Sequence, residues 1–260
     1  LAVLLVLPGC ARWKMGSLFS KEPASPAVLK VGIAADSPPL IYKKNGAITG
    51  LETSLAAGLA RSMSRKAELI ELSRAELAKA LLEKKIDIIM AGVTAEYANA
   101  SALAASTPYL LSGQVALVHL DDVKLGASPQ ALAQKQVRLG VVAKTAGDLY
   151  AATLKPQGKV SRFPSAQEGV QALINDTIDV LLHDMPAICY YAAQHVEKGL
   201  TPGAKLLSSE ELVWALRPDD TAMQKATNAY LETIGKNGEL QEMIKQAIPF
   251  YKATIYSPVK

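Results

Sequence analysis

Hydrophobic and polar positions follow the same order in two stretches of the chain. Residues 80–92 align without a gap on residues 172–184, and residues 31–36 match residues 139–144 in the same way. The longer stretches read as the end of a helix, a polar turn, an Ile-Asp pair and a short apolar strand. The repetition predicts two similar α/β lobes, each with a strand–helix–strand core.

The first lobe is predicted to alternate strands with helices. Asn45-Gly46 marks a tight turn. Ser73 is predicted to be a helix N-cap, with Glu76 as its capping-box partner. The predicted strands are residues 29–35, 68–72 and 86–91, and the predicted helices are residues 51–63 and 73–83.

The second lobe repeats this order, and the chain then returns to the first lobe. Its predicted strands are residues 137–142, 160–163 and 178–182, and its predicted helices are residues 145–154, 166–174 and 186–197. Residues 110–120 and 211–216 are the two predicted crossings, and two crossings form a hinge. The predicted organisation is a leader and tether (1–28), lobe 1 (29–113), lobe 2 (114–210), and a return crossing with C-terminal helices packed on lobe 1 (211–260).

Composition excludes several classes of function. Half of the 260 residues are hydrophobic, so the chain can bury one or two cores. The net charge of +4 comes without an arginine-rich run, and aromatics are few, so we expect no nucleic-acid binding. His119, His183 and His195 are scattered, and we expect no metal and no cofactor. We expect no disulfide framework, and Cys189 is expected to be a small core residue.

The first residues indicate export and lipidation. Residues 1–9 are uncharged and nearly all aliphatic, as in the end of a secretory leader. They run into Cys10 through a Leu-Pro-Gly sequence that resembles a bacterial lipobox. We therefore expect a lipid on Cys10 and a tether through residue 28. The alternative is an ordinary leader fragment with an incidental cysteine.

Ligands of open α/β sheets lie beyond the carboxyl ends of the strands. Two facing lobes would bring their strand ends together in one cleft. The candidate lining is residues 36–38, 92–96, 144–146 and Asp184.

Several segments resemble the family-three solute-binding proteins of bacterial polar amino-acid ABC importers. They are LKVGIAADSPPL at 29–40, GAITGLETSL at 46–55, KIDIIMAGVT at 85–94, STPY at 106–109, SGQV at 112–115, IDVLLHD at 178–184 and the C-terminal residues 228–238. The resemblance covers about residues 29–251. It implies the two-lobed α/β periplasmic binding protein fold of type II, with two crossover strands as its hinge.

The family's binding residues transfer only in part. Asp184, which in the family takes the ligand's ammonium group, is present, as is Thr94. The carboxylate-binding Arg falls on Asn99, and a neighbouring Thr falls on Glu96. The remaining positions hold other residues: the second carboxylate clamp falls on Lys144, Thr145 and Ala146, and the aromatics around the ligand side chain fall on Ser37 and Arg74.

These replacements change the ligand that we expect. A carboxylate ligand without its Arg would be poorly paired, at a cost of several kcal/mol. Either the ligand lacks an α-carboxylate, or Arg74 or Lys144 binds it instead. Asp184 and Glu96 suit a cationic or amine-bearing solute. The structural alternatives are that Asp184 caps a helix, that Arg74 is solvated, and that Glu96 and Asn99 are plain loop residues.

Three functions remain open, because one fold supports many. The resemblance favours a monomeric receptor for a small nitrogen-containing solute. It would act outside the cytoplasm, held at the membrane by its lipid beside an ABC permease. The second is a sensory lobe pair, and the third is an enzyme similar to the cyclohexadienyl dehydratases. The absence of the Arg at Asn99 speaks against the enzyme.

Overall fold

The computed structural model of the chain describes residues 27–251. The strands are β1 Val28–Ile33, β2 Asp36–Ser37, β3 Ile41–Lys44, β4 Ala47–Thr49, β5 Lys66–Glu71, β6 Ile88–Thr94, β7 Ala104–Ala105, β8 Leu110–Ser112, β9 Gln114–His119, β10 Leu139–Val142, β11 Val160–Phe163, β12 Val180–Asp184, β13 Leu200–Pro202 and β14 Glu210–Leu216. The helices are α1 Leu51–Ser62, α2 Arg74–Leu82, α3 Ala95–Ala100, α4 Pro129–Leu132, α5 Ala146–Thr153, α6 Ala166–Ile174, α7 Met185–Gln194, α8 Thr221–Lys236 and α9 Glu239–Ala247, with 3-10 turns at Leu120–Asp122 and Val196–Lys198. No helix among residues 27–251 is both long enough and apolar enough to cross a membrane.

Two main sheets share one topology, as the internal repeat predicts. The first has the order β5-β1-β6-β14-β7, and β8 also pairs with β14. The second has the order β11-β10-β12-β9-β13. In each sheet the first three strands are parallel, and the next one, β14 or β9, is antiparallel to its neighbour. The α/β fold with two lobes is therefore confirmed.

The aspartate of the Ile-Asp pair makes the same hydrogen bonds in both lobes. The Asp87 carboxylate accepts the backbone N–H of Lys30 at 2.9 Å, and the Asp179 carboxylate accepts that of Arg138 at 2.7 Å. Each aspartate returns its own N–H to the carbonyl of the same partner residue. The pair thus fastens the turn before the third strand to the start of the first strand.

The predicted starts of two strands are wrong. The strands expected at residues 86–91 and 178–182 begin at Ile88 and Val180, each two residues later. The Ile-Asp pairs lie in the turns before these strands. There the aspartate side chain, rather than a neighbouring strand, accepts a backbone N–H. Both strands extend further at their carboxyl ends, to Thr94 and Asp184.

Other local predictions are confirmed. Asn45 and Gly46 join β3 to β4 as a two-residue hairpin turn, with φ values of 53° and 79°. The Ser73 N–H donates to the Glu76 carboxylate at 3.1 Å, which forms the predicted capping box. Cys189 is fully buried in the core. The three-stranded sheet β2-β3-β4 and helix α3 were not predicted.

The two crossings touch each other where the sheets meet. The Gln114 N–H donates to the Ser208 hydroxyl at 2.9 Å, and the Leu207 N–H donates to the Gln114 carbonyl at 2.8 Å. Gly113 has φ 155°, and a Cβ there would lie 2.1 Å from the Ser208 carbonyl oxygen. Only glycine allows this approach of the two backbones.

Candidate functional site

Asp184 ends strand β12 and lies opposite Gln114, the first residue of β9. The Gln114 side chain is 1 % exposed, and its Nε2 atom donates to Asp184 Oδ1 at 2.6 Å. The same nitrogen donates to Glu210 Oε1 at 3.2 Å. The buried Gln114 amide therefore donates to two carboxylates: Asp184 at the end of β12 in the second sheet and Glu210 at the start of β14 in the first.

Asp184 occupies the N-cap position of α7 but makes no side-chain cap bond there. The structural alternative is thus right about the N-cap position, but the Asp184 side chain does not bond to the helix. The carboxylate is partly exposed and has no cation within ion-pairing distance among residues 27–251. Its remaining acceptor capacity is open to a ligand.

Glu210 was not recognised in the sequence, where the return crossing was predicted to begin one residue later. Its Oε1 atom accepts from the Ser208 hydroxyl at 3.2 Å as well as from Gln114. Burial raises the pKa of Glu210, and the charges of Asp184 and Glu96 raise it further. These carboxylates therefore form one electrostatically coupled group.

Thr94, Glu96 and Asn99 lie at helix α3 rather than in a plain loop. The Thr94 hydroxyl caps the helix by accepting the Tyr97 N–H at 3.1 Å, so that the chain turns into a helix as soon as β6 ends. Glu96 is exposed in the first turn, and Asn99 is exposed in the last. The Asn99 side chain has no hydrogen bond that ties it to the Asp184 cluster among the described contacts.

Arg74 and Ser37 lie together, and Asp36 joins them. The Arg74 guanidinium donates to both Asp36 oxygens, at 3.0 Å and 2.7 Å, and also to the Ser37 hydroxyl. A fork of this kind is the strongest common form of ion pair. Arg74 is exposed, as the structural alternative expected, but it is also paired with Asp36, so any ligand carboxylate would have to compete with Asp36 for it.

Lys144 and Thr145 precede helix α5. The Thr145 hydroxyl accepts the Asp148 N–H at 3.4 Å and donates to the Val142 carbonyl at 2.8 Å, so it is already engaged in its own turn. Lys144 is exposed and has φ 62°, a left-handed conformation that is unfavourable for a residue with a Cβ. Asp148 binds the Arg162 guanidinium at 2.8 Å, which leaves the Lys144 ammonium unpaired among the described ion pairs.

Glu52 is a fully buried acid beneath the end of β6. Its carboxylate accepts the Gly92 N–H at 2.7 Å and the Tyr109 hydroxyl at 2.8 Å. Burial raises the pKa of Glu52 to about 7, despite these two hydrogen bonds. Its two partners lie 40 and 57 positions away in the chain, so no local sequence pattern indicates this site.

A separate cavity of about 410 Å³ lies between the β2–β3 region of the first lobe and helices α6 and α7 of the second. Tyr42 of β3 and Tyr190 of α7 meet there edge to face, with ring centroids 5.4 Å apart. Its lining includes Asp36 and Pro38 but not Asp184 or Glu210. The predicted lipidation residue, Cys10, lies outside the described residues. Residues 27–251 contain no group of three or more metal-ligating side chains.

The charges near Asp184 do not balance. Asp184, Glu210 and Glu96 lack ion-pair partners among the described residues. Arg74 and Arg162 are paired with Asp36 and Asp148, which leaves Lys144 as the one unpaired cation among the described candidate residues, against three acids. Such an arrangement can bind a cation, and the excess of negative charge disfavours an anion.

Comparisons with known proteins agree on the class of protein. The profile of the bacterial extracellular solute-binding proteins, family 3, matches residues 29–249. The arginine-binding extracellular protein ArtP of Bacillus subtilis is 24% identical over 258 residues, which cover 94% of this chain and 96% of that protein.

Solved structures show the same similarity. An ancestral cationic amino acid solute-binding protein, AncCDT-1, superposes with a TM-score of 0.79 at 26% identity, covering 85% of this chain and 96% of the other; a second structure of it is described as a precursor of cyclohexadienyl dehydratase. A binding component of an ABC transporter from Wolinella succinogenes, complexed with lysine, has a TM-score of 0.75 at 25% identity, covering 85% of this chain and 96% of the other.

Proposed function

Because this chain belongs to the bacterial extracellular solute-binding proteins of family 3, we propose that it is the solute receptor of an ABC importer. It binds one small nitrogen-bearing solute between its lobes and presents that solute to a permease in the membrane. The relatives that bind arginine and lysine support a solute of this kind.

One observation carries the proposal: Asp184 is partly exposed at a strand end and is not used by the helix that it precedes. Gln114 orients its carboxylate through Oδ1. A carboxylate held in this way binds an ammonium group through charge-assisted hydrogen bonds. We assign Asp184 to the solute's amine.

The solute is an amine or an atypical amino-acid derivative rather than a standard amino acid. Asn99 stands where relatives hold the α-carboxylate with an Arg. Arg74 is occupied by Asp36, and the Thr145 hydroxyl by its own turn. We propose that Thr94, Glu96, Asn99 and Ser37 complete the polar lining, and that Lys144 and Arg74 lie at its rim.

We also propose that the lobes close around the solute by bending at the two crossings. The lobe boundaries proposed are residues 29–113 and 114–210, with residues 211–260 returning to the first lobe. The contact of Gly113 with Ser208 supports a hinge there, since the backbones meet without an intervening side chain. Ligand-dependent closure is the usual behaviour of two-lobed binding proteins.

Membrane attachment through a lipid on Cys10 accords with this role. The family is extracellular, and the proposed place of action is outside the cytoplasm, beside the permease. The tether through residue 28 would let a monomeric receptor reach its partner.

A sensory protein would close on its ligand in the same way but would signal that closure to a membrane partner other than a permease. A dehydratase-like enzyme is the third candidate, because the chain is similar in structure to a precursor of cyclohexadienyl dehydratase. The carboxylate-binding Arg that a carboxylate substrate needs is replaced by Asn99. We therefore propose binding without catalysis.

Native mass spectrometry of freshly purified protein tests the proposal. We expect one small solute per chain, with a mass that indicates basic nitrogen. Removing the solute should lower the melting temperature, and returning it should restore it. A chain that carries no solute, and that no amine or amino-acid derivative stabilises, would contradict the proposal.

A further inference from the structure

Two tyrosines from different lobes are in contact away from the crossings. Tyr42 of β3 and Tyr190 of α7 lie edge to face, with ring centroids 5.4 Å apart and an interplanar angle of 66°. Strand β3 belongs to the small β2-β3-β4 sheet, and α7 follows β12 of the second sheet, so neither residue lies on a crossing strand. Among residues 27–251, this is the one ring pair that joins the two lobes.

The elements that carry these two rings also carry candidate site residues. Ser37 lies in β2, which pairs directly with the strand of Tyr42. A Cβ on Gly92 would lie 3.9 Å from the Ser37 Cβ, so Ser37 is adjacent to the carboxyl end of β6. On the other lobe, the helix of Tyr190 begins directly after Asp184. The ring contact therefore connects the hairpin beside Ser37 to the helix that follows Asp184.

The contact favours the closed arrangement of the lobes. Both rings are half-buried. Burial raises the pKa of Tyr42, and the neighbouring Tyr190 hydroxyl raises it further, so the two hydroxyl groups are close as well as the rings. An edge-to-face pair of aromatic rings is stabilising beyond the area that it buries. Bending at the crossings would separate the rings and lose this interaction.

The cavity of about 410 Å³ beside the pair has walls on both lobes. Asp36, Pro38 and Tyr42 line it from the first lobe, and residues of α6 and α7 line it from the second. Its shape therefore depends on how far the lobes are closed. Tyr191 also lines it, but the Tyr191 ring contacts Tyr190 within the same lobe, with centroids 5.3 Å apart.

We infer that Tyr42 and Tyr190 form a latch that holds the two lobes closed. This inference rests on the closure proposed above, and it assigns part of that closure to a contact of protein with protein. The two tyrosines are positioning residues, because they act on the solute through the arrangement of the lobes. The latch would slow the release of any solute bound between the lobes and would raise its apparent affinity.

Distances between spin labels on the two lobes measure closure without a solute. Lys44 and Lys198 are exposed, two residues after Tyr42 and eight after Tyr190, and Cys189 is fully buried. Lys44→Cys and Lys198→Cys in a full-length Cys10→Ser chain, refolded to remove bound solute, provide the labelling sites. Pulsed electron–electron resonance then gives the ratio of open to closed molecules. Tyr42→Ala and Tyr190→Ala should each raise this ratio by about two- to tenfold.

Three further variants separate a latch from a general loss of packing. The double variant Tyr42→Ala/Tyr190→Ala should be no more open than either single variant, because all three lack the same contact. Tyr42→Phe keeps the ring and should remain close to the wild type. Tyr191→Ala is the matched control, since it removes a ring from the same helix and the same cavity without an interlobe ring contact.

Several results would overturn the latch: a wild type that is entirely open, additive effects of the two alanine variants, or equal opening in Tyr191→Ala and Tyr190→Ala. If one alanine variant does not fold, the other tests the contact, and an unchanged ratio there also overturns the latch. None of these results affects the receptor function, which depends on solute binding. Conversely, a latch in a chain that binds no amine or amino-acid derivative would contradict the receptor function alone.

Discussion

Gln114 donates a 2.6 Å hydrogen bond to the Oδ1 atom of Asp184, the residue that ends strand β12 and precedes helix α7. A glutamine that is almost fully buried holds a carboxylate that remains partly exposed. The carboxylate is therefore fixed in direction before a solute arrives, which lowers the entropy cost of binding.

Replacing Glu52 by Gln should change how stability depends on pH. The pKa of Glu52 is about 7 in the folded chain, above its ordinary value of 4.5. A raised acid pKa means that folding favours the protonated form, so stability is fully present below the ordinary value and is lost as the pH rises to about 7. The wild-type free energy of unfolding should fall by about 3 kcal/mol over this interval relative to Glu52→Gln.

Denaturant unfolding of both proteins between pH 4 and 8 measures this difference. Subtracting the two curves removes the titration of every group that they share. Parallel curves would show that Glu52 has an ordinary pKa in the folded protein.

Lys144→Gly should raise stability. The left-handed backbone at this position disfavours a side chain by about 1–2 kcal/mol, and the added freedom of glycine in the unfolded chain offsets part of that gain. Lys155 has φ 48° and is exposed as well, so Lys155→Gly is the matched control for backbone strain. Lys144→Gly should exceed it by about 0.3–1 kcal/mol, because it removes an unfavourable cation from the N-terminus of α5, whereas Lys155→Gly removes a favourable one that follows its C-terminus.

The same pair of variants reports on the ligand. Removing the Lys144 cation should strengthen the binding of a cationic solute, whereas Lys155→Gly should not affect binding. Weaker binding in Lys144→Gly would instead identify Lys144 as a carboxylate partner.

The twenty standard amino acids should bind weakly. Each lost charged hydrogen bond costs about 1.5–3 kcal/mol, and losing two shifts a micromolar affinity toward the millimolar range. A thermal-shift screen followed by calorimetry measures this. Micromolar binding of any standard amino acid would contradict the prediction, and Arg74→Met and Lys144→Met would then show which cation has replaced the Arg.

Membrane attachment should depend on Cys10. In a bacterial host the full-length protein should incorporate palmitate and enter the detergent phase, because a diacylated cysteine anchors firmly. Cys10→Ser should lose both properties, and Cys189→Ser should keep them. Recovery of the unaltered protein entirely in the soluble fraction would rule out lipidation.

The sequence predicted the elements whose contacts are local or repeated. The capping box of Ser73 and Glu76 spans three positions. The Ile-Asp turn occurs in both repeats of the sequence, and both lobes contain the strand that it predicts. Even there, the strands begin two residues later than predicted. The hydrophobic pattern does not show a side-chain hydrogen bond to a distant backbone group.

The site was less predictable because its contacts join distant residues. Asp36 and Arg74 are 38 positions apart, and Gln114 and Glu210 are 96 apart. Charges identify such residues as candidates but do not show which acid binds which base. Asp184 was predicted as a candidate because a strand end and a family motif coincide there, whereas Glu210 has neither signal.

The most direct test is calorimetry of the co-purified solute with the wild type, Asp184→Asn and Asp121→Asn. Asp121 is an exposed aspartate on the short turn after β9, so its variant controls for the loss of one negative charge. We expect Asp184→Asn to weaken binding by about 2 kcal/mol or more, roughly thirtyfold, with Asp121→Asn unchanged. Equal affinity in all three proteins would contradict the assignment of Asp184 to the solute's amine.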